Sequence, residues 1–425
     1  MNLLGFLILT VVLYLVLSGS RSRAAIGMVA GILYLTQNQQ FNVAGFNIFT
    51  FRIVELAGFL RVVTRREFAF SYLTRIDKAL IIFIIYTVVV FIVRGGDGIA
   101  YRIGWGTDAF LCYFSFRGLI QNRDDIYQLL KSTALLIIPF AILSLIESIY
   151  KFNIFSLIGA RSGGSDMIRG DRLRAIGSFR HPSLMGTFGA CMLPTYIAFI
   201  RNQSIRNSGI LGTIACLMIV YASNSGGPLS CVGVAFVGWI FWILRSQLRA
   251  VKIIAFLLLV IVGSLMKAPI WYIPAKISSI SGGDGWHRSH LMEQAFKHIE
   301  SWWLAGMPTV ETQTWFAYYI HATGSADITN QYISYGIAAG LGSMILFFLL
   351  LIKSFNSLGT ALNKFPESDN MPIHDQHLGW ALGVTIVVHM FNWIGISYFD
   401  QTYGVWYMQL ALISAFQLPA TARPN

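Results

Sequence analysis

Continuous apolar runs, long enough to cross a bilayer, constrain this chain more than any other feature. Crossing the hydrocarbon takes ~20 helical residues. Inside it each unpaired backbone N–H or C=O costs several kcal/mol, so only helices and closed barrels can span. Barrel strands alternate apolar and polar residues, and these runs do not. The expected fold class is therefore an all-α integral membrane protein. Composition agrees: 55% of the residues are hydrophobic and only 12% charged, against about 25% charged in soluble domains.

The pattern predicts a bundle of 12–13 transmembrane helices, treated as one membrane domain over 1–425. The spans are placed at about 3–19, 24–41, 44–61, 76–94, 104–120, 130–150, 183–200, 207–222, 228–245, 250–267, 329–352, 377–396 and 402–419. Arg52 and Glu55 interrupt the third at i, i+3 spacing, so they are expected to pair on one helix face. The Leu3–Leu17 run has no basic region before it and is followed by Arg21 and Arg23, so it reads as a first span rather than a cleaved signal. Cys112, Cys191, Cys216 and Cys231 lie in or beside apolar runs with no CxxC pair. They read as small packing residues, with neither disulfide nor metal implied.

The net charge of +12 would suggest nucleic acid on a soluble chain. Here it follows the bias of basic residues toward the cytoplasmic loops, and no nucleic-acid partner is expected. With the N-terminus outside, 18 of the 31 lysines and arginines fall in or beside inside connections, while Ser223–Gly227 and Ser397–Gln401 outside carry none. Two outside connections are long, about 151–182 and 267–328. Long loops in compact proteins are usually functional.

The first long loop holds Lys151, Arg161, Arg169, Arg172, Arg174 and Arg180 against Asp166 and Asp171. Arginine's planar fork matches phosphate oxygens. The cluster suits either a lipid diphosphate or ordinary lipid headgroups. Pro182 and Ser183 mark a helix start, which would bring backbone N–H groups beside Arg180 and His181. The stretch Arg172-Leu-Arg174-Ala-Ile-Gly177-Ser-Phe-Arg180-His181-Pro182-Ser183-Leu184 resembles the arginine–glycine–His/Asn-Pro segment of the bacterial O-antigen ligase and O-antigen polymerase family. Those are membrane glycosyltransferases that use polyprenyl-diphosphate-linked sugars. Ser183 stands where many members have Asn.

In the second long loop, Gly285–Trp303 reads as an amphipathic helix with Leu291, Ala295, Ile299 and Trp302 as its apolar stripe. Trp286, Trp302 and Trp303 suggest the membrane interface. Arg288 takes the place of the arginine that starts a similar helix in the family. His287, His290 and Glu293 at i, i+3, i+6 are a weak metal pattern, and His290, Glu293 and His298 read better as a polar face. The segment from His321 to Tyr332 leads into the next span, with Gly336 and Gly340 spaced for close helix approach. Asn330, Tyr332 and Gly340 match the family's helix-start segment. Thr329 stands where the family has a histidine, so His321 or Asp327 would have to serve instead, His321 having the better intrinsic pKa for a base.

The resemblance covers about residues 170–350. It implies a metal-independent enzyme without cofactor in the bacterial cytoplasmic membrane, its active site facing the periplasm. The enzyme would move a glycan from a polyprenyl diphosphate donor to a sugar or lipid-linked glycan acceptor, among membrane lipids, in exopolysaccharide, O-antigen or lipopolysaccharide synthesis. Arg172, Arg174, Arg180, His181 and Arg288 would bind the diphosphate, and Arg180, His321 and Asp327 would serve catalysis. The missing histidine leans the expectation toward a polymerase. A transporter or flippase of the same lipids would need polar groups strung through the interior. Only Arg52, Glu55 and His389 lie well inside predicted spans. His389 and Asn392, at i, i+3, read as helix–helix hydrogen-bonding groups.

Overall fold

The computed structural model describes residues 1–425 except 44–45, 97, 162–166, 282–284, 316–325, 327, 364–370 and 418–425. Each of the thirteen apolar runs falls on a helix: α1 (Leu3–Ser18), α2 (Arg21–Tyr34), α3 (Thr50–Thr64), α4 (Arg75–Arg94), α5 (Ile99–Leu119), α6 (Arg123–Tyr150), α7 (Pro182–Ile200), α8 (Arg206–Ser223), α9 (Gly226–Ile240) and α10 (Leu248–Leu265), then, past three short helices, α14 (Gln331–Asn363), α15 (Ile373–Asn392) and α16 (Thr402–Phe416). The short helices are α11 (Ile273–Ser281), α12 (Gly285–Lys297) and α13 (Ile299–Trp302). The chain is an all-α membrane protein. By length and apolarity alone five helices can cross a membrane: α4, α6, α7, Gln203–Ser223 and α14. The pair Phe256–Leu265 and Ile270–Lys276, bent by 92°, would make a sixth, and α1 and α9 are shorter apolar helices.

The second and third runs need correction. α2 stops at Tyr34 and α3 starts at Thr50, and between them β1 (Gln40–Val43) pairs antiparallel with β2 (Phe46–Phe49). The alternation Phe41-Asn42-Val43 and Phe46-Asn47-Ile48 has the strand period of two, which overrides the mean hydropathy of the stretch. Arg52 also departs from expectation. It pairs with Asp108 on α5, not with Glu55, through Nε–Oδ1 at 2.5 Å and Nη2–Oδ2 at 2.6 Å. The two-pronged contact across helices satisfies the guanidinium better than an i, i+3 neighbour.

The helices run alternately between two ends of the bundle. At one end the N-terminus, the segment between α2 and α3, the first long loop and the α15–α16 connection are tied together. Asn2 donates to Leu157 O at 2.6 Å, Thr36 to Ile158 O at 2.7 Å, Ser178 to Leu33 O at 2.7 Å and Gln401 to Ser178 O at 3.0 Å. At the other end lie the pairs Arg21–Asp125, Arg61–Glu67, Arg117–Asp77 and Arg123–Asp375. All four of those arginines belong to the set expected inside. α7 is buried along nearly its whole length among α8, α9 and α15. Large apolar side chains such as Ile85, Leu135, Ile214 and Phe256 point outward, as a lipid-facing surface requires.

α14 is broken where Gly340 takes φ +74° after a non-helical Ala339. The gap receives the turn after α13: Leu341 N donates to Trp303 O at 2.7 Å and Met307 N to Ile337 O at 2.9 Å. The ring of Trp302 lies against Gly336. The Gly336/Gly340 pair thus admits a one-turn helix and its following backbone, not a long helix. A Cβ at Gly340 would stand 2.3 Å from Leu304 O, whereas Gly359, in the same helix, faces open space. Gly340→Ala should therefore destabilise by about 2–3 kcal/mol or more, from positive φ and the backbone clash together. Gly359→Ala should stabilise by up to about 1 kcal/mol. Melting temperatures of the purified variants in detergent check both signs.

Candidate functional site

The helix expected over Gly285–Trp303 is interrupted at His298 into α12 and α13, which together carry the expected stripe inward. Leu291, Ala295 and Trp302 are buried with Ile299 packed beside them, while Trp286 and Trp303 stay exposed. The opposite face is a chain of polar contacts. Glu293 accepts from Tyr272 at 2.5 Å and lies 3.3 Å from Lys297 and 3.5 Å from His290, whose ring stacks on Trp286. The Tyr272 hydroxyl, then Lys297 and His290, hold the Glu293 carboxyl below the usual carboxylate range against a small desolvation cost. His298 stacks on Trp315. Among the described residues no three His, Cys, Asp or Glu side chains gather as a metal site.

Beneath α12 lies a cavity of about 530 Å³ with mainly apolar walls. α11 and the segment before it give Trp271 and Ile273, α12 gives Met292 and Phe296, and α14 gives Tyr332, Met344 and Phe348. The polar lining is sparse: Arg288, Asn330, Asn392, Ser230 and Ser278. Asn330 caps α14, accepting from Ile333 N at 3.1 Å, and donates to Ile394 O at 3.1 Å. Tyr332 donates to Met390 O at 2.9 Å. These two helix-start residues fix the wall. Gly340 lies one break further along α14 and supports it from behind.

Arg288 stands where three elements meet. A Cβ on Gly395 would come within 2.9 Å of its Nη1, and one on Gly227 within 3.9 Å of its Nη2. The absence of a side chain at 395 is what admits the guanidinium. Arg174 reaches the same α8–α9 turn, its Nη2 donating to Ser225 at 3.0 Å. Arg172 reaches the end of α8, lying 4.0 Å over the Tyr221 ring. Its buried Nη1 hydrogen-bonds to none of the described residues. Arg174 and Arg288 thus reach one turn, and Arg172 the last turn of the helix before it. The Gly226-Gly227-Pro228 sequence already marks this stretch as a short outer turn fit to line a pocket, and Gly226 and Gly227 do line the cavity.

Arg180 goes elsewhere. Its Nε lies 3.3 Å from Asp400, and its guanidinium sits over Phe49. It cannot be grouped with Arg174 as the sequence suggested, because Asp400 gives it a charge partner on the α15–α16 connection. His181 is the N-cap of α7, its Nδ1 accepting from Ser183 N at 3.1 Å. One of the helix's open N–H groups is therefore already taken. His321 and Asp327 lie outside the described residues.

His389 and Asn392 make the hydrogen bonds between elements that their i, i+3 spacing inside a span suggested. Asn392 lines the cavity and donates to Thr187 at 2.7 Å and Tyr398 at 3.2 Å. His389 holds Tyr398 at 2.7 Å and Gln409. This buried network joins α7, α15 and α16 and sets Asn392 in place. Asp400 adopts φ +52°, uncommon for a side-chain-bearing residue. Burial raises its carboxyl to about 6, partly offset by Arg180.

Neither protein-family models nor curated protein sequences match this chain.

The raised Asp400 carboxyl has a definite sign. Folding favours its protonated form, so its contribution is greatest below the unfolded value near 4 and fades as pH passes about 6. Relative to Asp400→Asn, the native chain should lose stability by at most about 3 kcal/mol between pH 4 and pH 7. Paired thermal melts across that range measure it, and a constant difference would contradict the assignment.

Proposed function

We propose that this protein is a membrane glycosyltransferase that takes a glycan from a polyprenyl diphosphate and transfers it to a sugar acceptor at the periplasmic face. One observation carries the reading: an apolar cavity ends at a guanidinium, Arg288, with Arg174 at the adjoining turn and Arg172 at the helix end before it. A polyprenyl diphosphate has the same construction, a hydrocarbon chain ending in concentrated negative charge. Burial of the chain favours the groove. Arg288, backed by Arg174 and Arg172, would hold the diphosphate and stabilise the charge that develops as it leaves. Asn392 and Asn330 offer amides at the boundary. His321 or Asp327 would take the proton of the attacking hydroxyl. The sequence resemblance to O-antigen polymerases and ligases supports the same chemistry.

The test is turnover of a purified polyprenyl-diphosphate oligosaccharide by the detergent-solubilised protein. Arg288→Ala should lower the rate by about 10²-fold, and Arg288→Lys should restore little, since a point charge does not reproduce the fork. Gly395→Val should mimic the loss while leaving the fold intact, because its side chain displaces the mobile end of Arg288 and not backbone. His321→Ala tests the base. Unchanged turnover in all of these removes the site. Movement of the lipid across a vesicle membrane without glycan transfer would favour a flippase.

A further inference from the structure

A second group of aromatic and charged side chains, none of which lines the donor groove, gathers between α3, α5 and the α15–α16 connection. α5 presents Tyr101, Trp105 and Asp108 at i, i+4, i+7, on one face. Arg52 grips Asp108 with both prongs, and Arg180 holds Asp400. The two guanidinium carbons lie 5.8 and 5.3 Å from the centroid of one ring, Phe49. Both ion pairs therefore rest on a single aromatic plate. Arg102 lies 5.9 Å from the Tyr101 ring and 5.3 Å from Trp105, and its buried Nε hydrogen-bonds to none of the described residues. Tyr101 is within electrostatic reach of Asp400, Asp108 and Arg180.

The group is wet. Tyr101 is 65% exposed, the Arg180 side chain 41%, and the Arg52–Asp108 pair 27% and 28%. It shares the α15–α16 connection with the donor groove. Ile394 and Gly395 line the groove, and Asp400 follows on the same α15–α16 connection. Gln331, beginning α14, ties that connection down: its N–H donates to Trp393 O at 2.9 Å, and its side-chain oxygen accepts from Tyr398 N at 2.6 Å.

We infer that this cluster binds the acceptor glycan, a lipid-free stretch of sugar, across the α15–α16 connection from the diphosphate. The inference rests on the glycosyltransferase reading above. A pyranose has an apolar C–H face and a rim of hydroxyls that both donate and accept. The exposed Tyr101 ring covers the first. Planar guanidinium and carboxylate groups with unused N–H groups and lone pairs answer the second. Three arginines against two carboxylates leave little net charge, which suits a hydroxylated ligand better than a polyanion. An acyl chain would have to desolvate both ion pairs.

The probe is the oligosaccharide released by mild acid from the donor used in the turnover assay. Its binding to the detergent-solubilised full chain is followed by saturation-transfer NMR, and binding of undecaprenyl diphosphate is followed in parallel by native mass spectrometry. Tyr101→Ala, at an exposed position, and Asp400→Asn should each weaken oligosaccharide binding at least tenfold and change lipid binding less than twofold. Arg288→Ala should do the reverse. Oligosaccharide affinity unchanged in both cluster variants overturns the inference, as does a native chain that binds and turns over the lipid donor yet shows no contact with the free sugar. If the native chain binds neither probe, the glycosyltransferase reading falls with it. If the sugar binds through Tyr101 but the lipid does not, the cluster stands as a glycan site and only the donor assignment fails.

Discussion

Charge buried in or beside hydrocarbon must find a partner, and that requirement organises this molecule. Arg52 cannot be left alone on α3, so α5 supplies Asp108. At the opposite end Asp77, fully buried on α4, meets both Tyr113 and Arg117. Arg61 reaches back to the carbonyls of Val16 and Gly19 and sideways to Glu67. Each such contact fixes the rotation of one helix against another, which apolar packing in lipid specifies weakly. The side chains left over face lipid, or belong to the groove and the cluster at the long-loop end.

The two are unlike in a useful way. One is apolar with a guanidinium at its head, and the other is an aromatic floor crossed by ion pairs. A single strip of chain, from Trp393 to Gln401, separates them. It is held from both sides: Gln331 and Asn330 bond its carbonyls and N–H groups, and Gln401 donates to Leu35 O and Ser178 O. A divider this well tied suits a reaction in which two substrates must be presented to each other at fixed distance. The break in α14 at Gly340 serves the same end. It lets the turn after α13 lock into the helix, and so seats α12 and Arg288 over the groove.

The resemblance to O-antigen polymerases and ligases first drew together Arg172, Arg174, Arg180 and Arg288 as one phosphate grip. The folded chain sorts them differently. Arg174 and Arg288 reach the α8–α9 turn and Arg172 the end of α8, while Arg180 is drawn away by Asp400. His181, the obvious neighbour of Arg180 in sequence, is occupied in capping α7. Adjacent positions in a loop with no repeating structure need not face the same way, because no period links their side chains.

What the sequence by itself determined is the part that depends on counting along the chain. Apolar runs located the helices, though not all their ends, since backbone groups in hydrocarbon have one economical way to be satisfied. The second run ended seven residues late and the eleventh eleven early. The spacing of Leu291, Ala295 and Trp302 declared the buried face shared by α12 and α13. The alternation at Phe41–Ile48 was legible too, though mean hydropathy hid it. Only the tertiary structure decided which partner each charge takes and which residues line an opening. Asp108, Asn392, Gly395 and Asp400 lie far along the chain from the arginines they serve. Nothing local distinguishes a carboxylate that will meet a guanidinium from one that will face water, because that pairing is set by how helices rotate and pack.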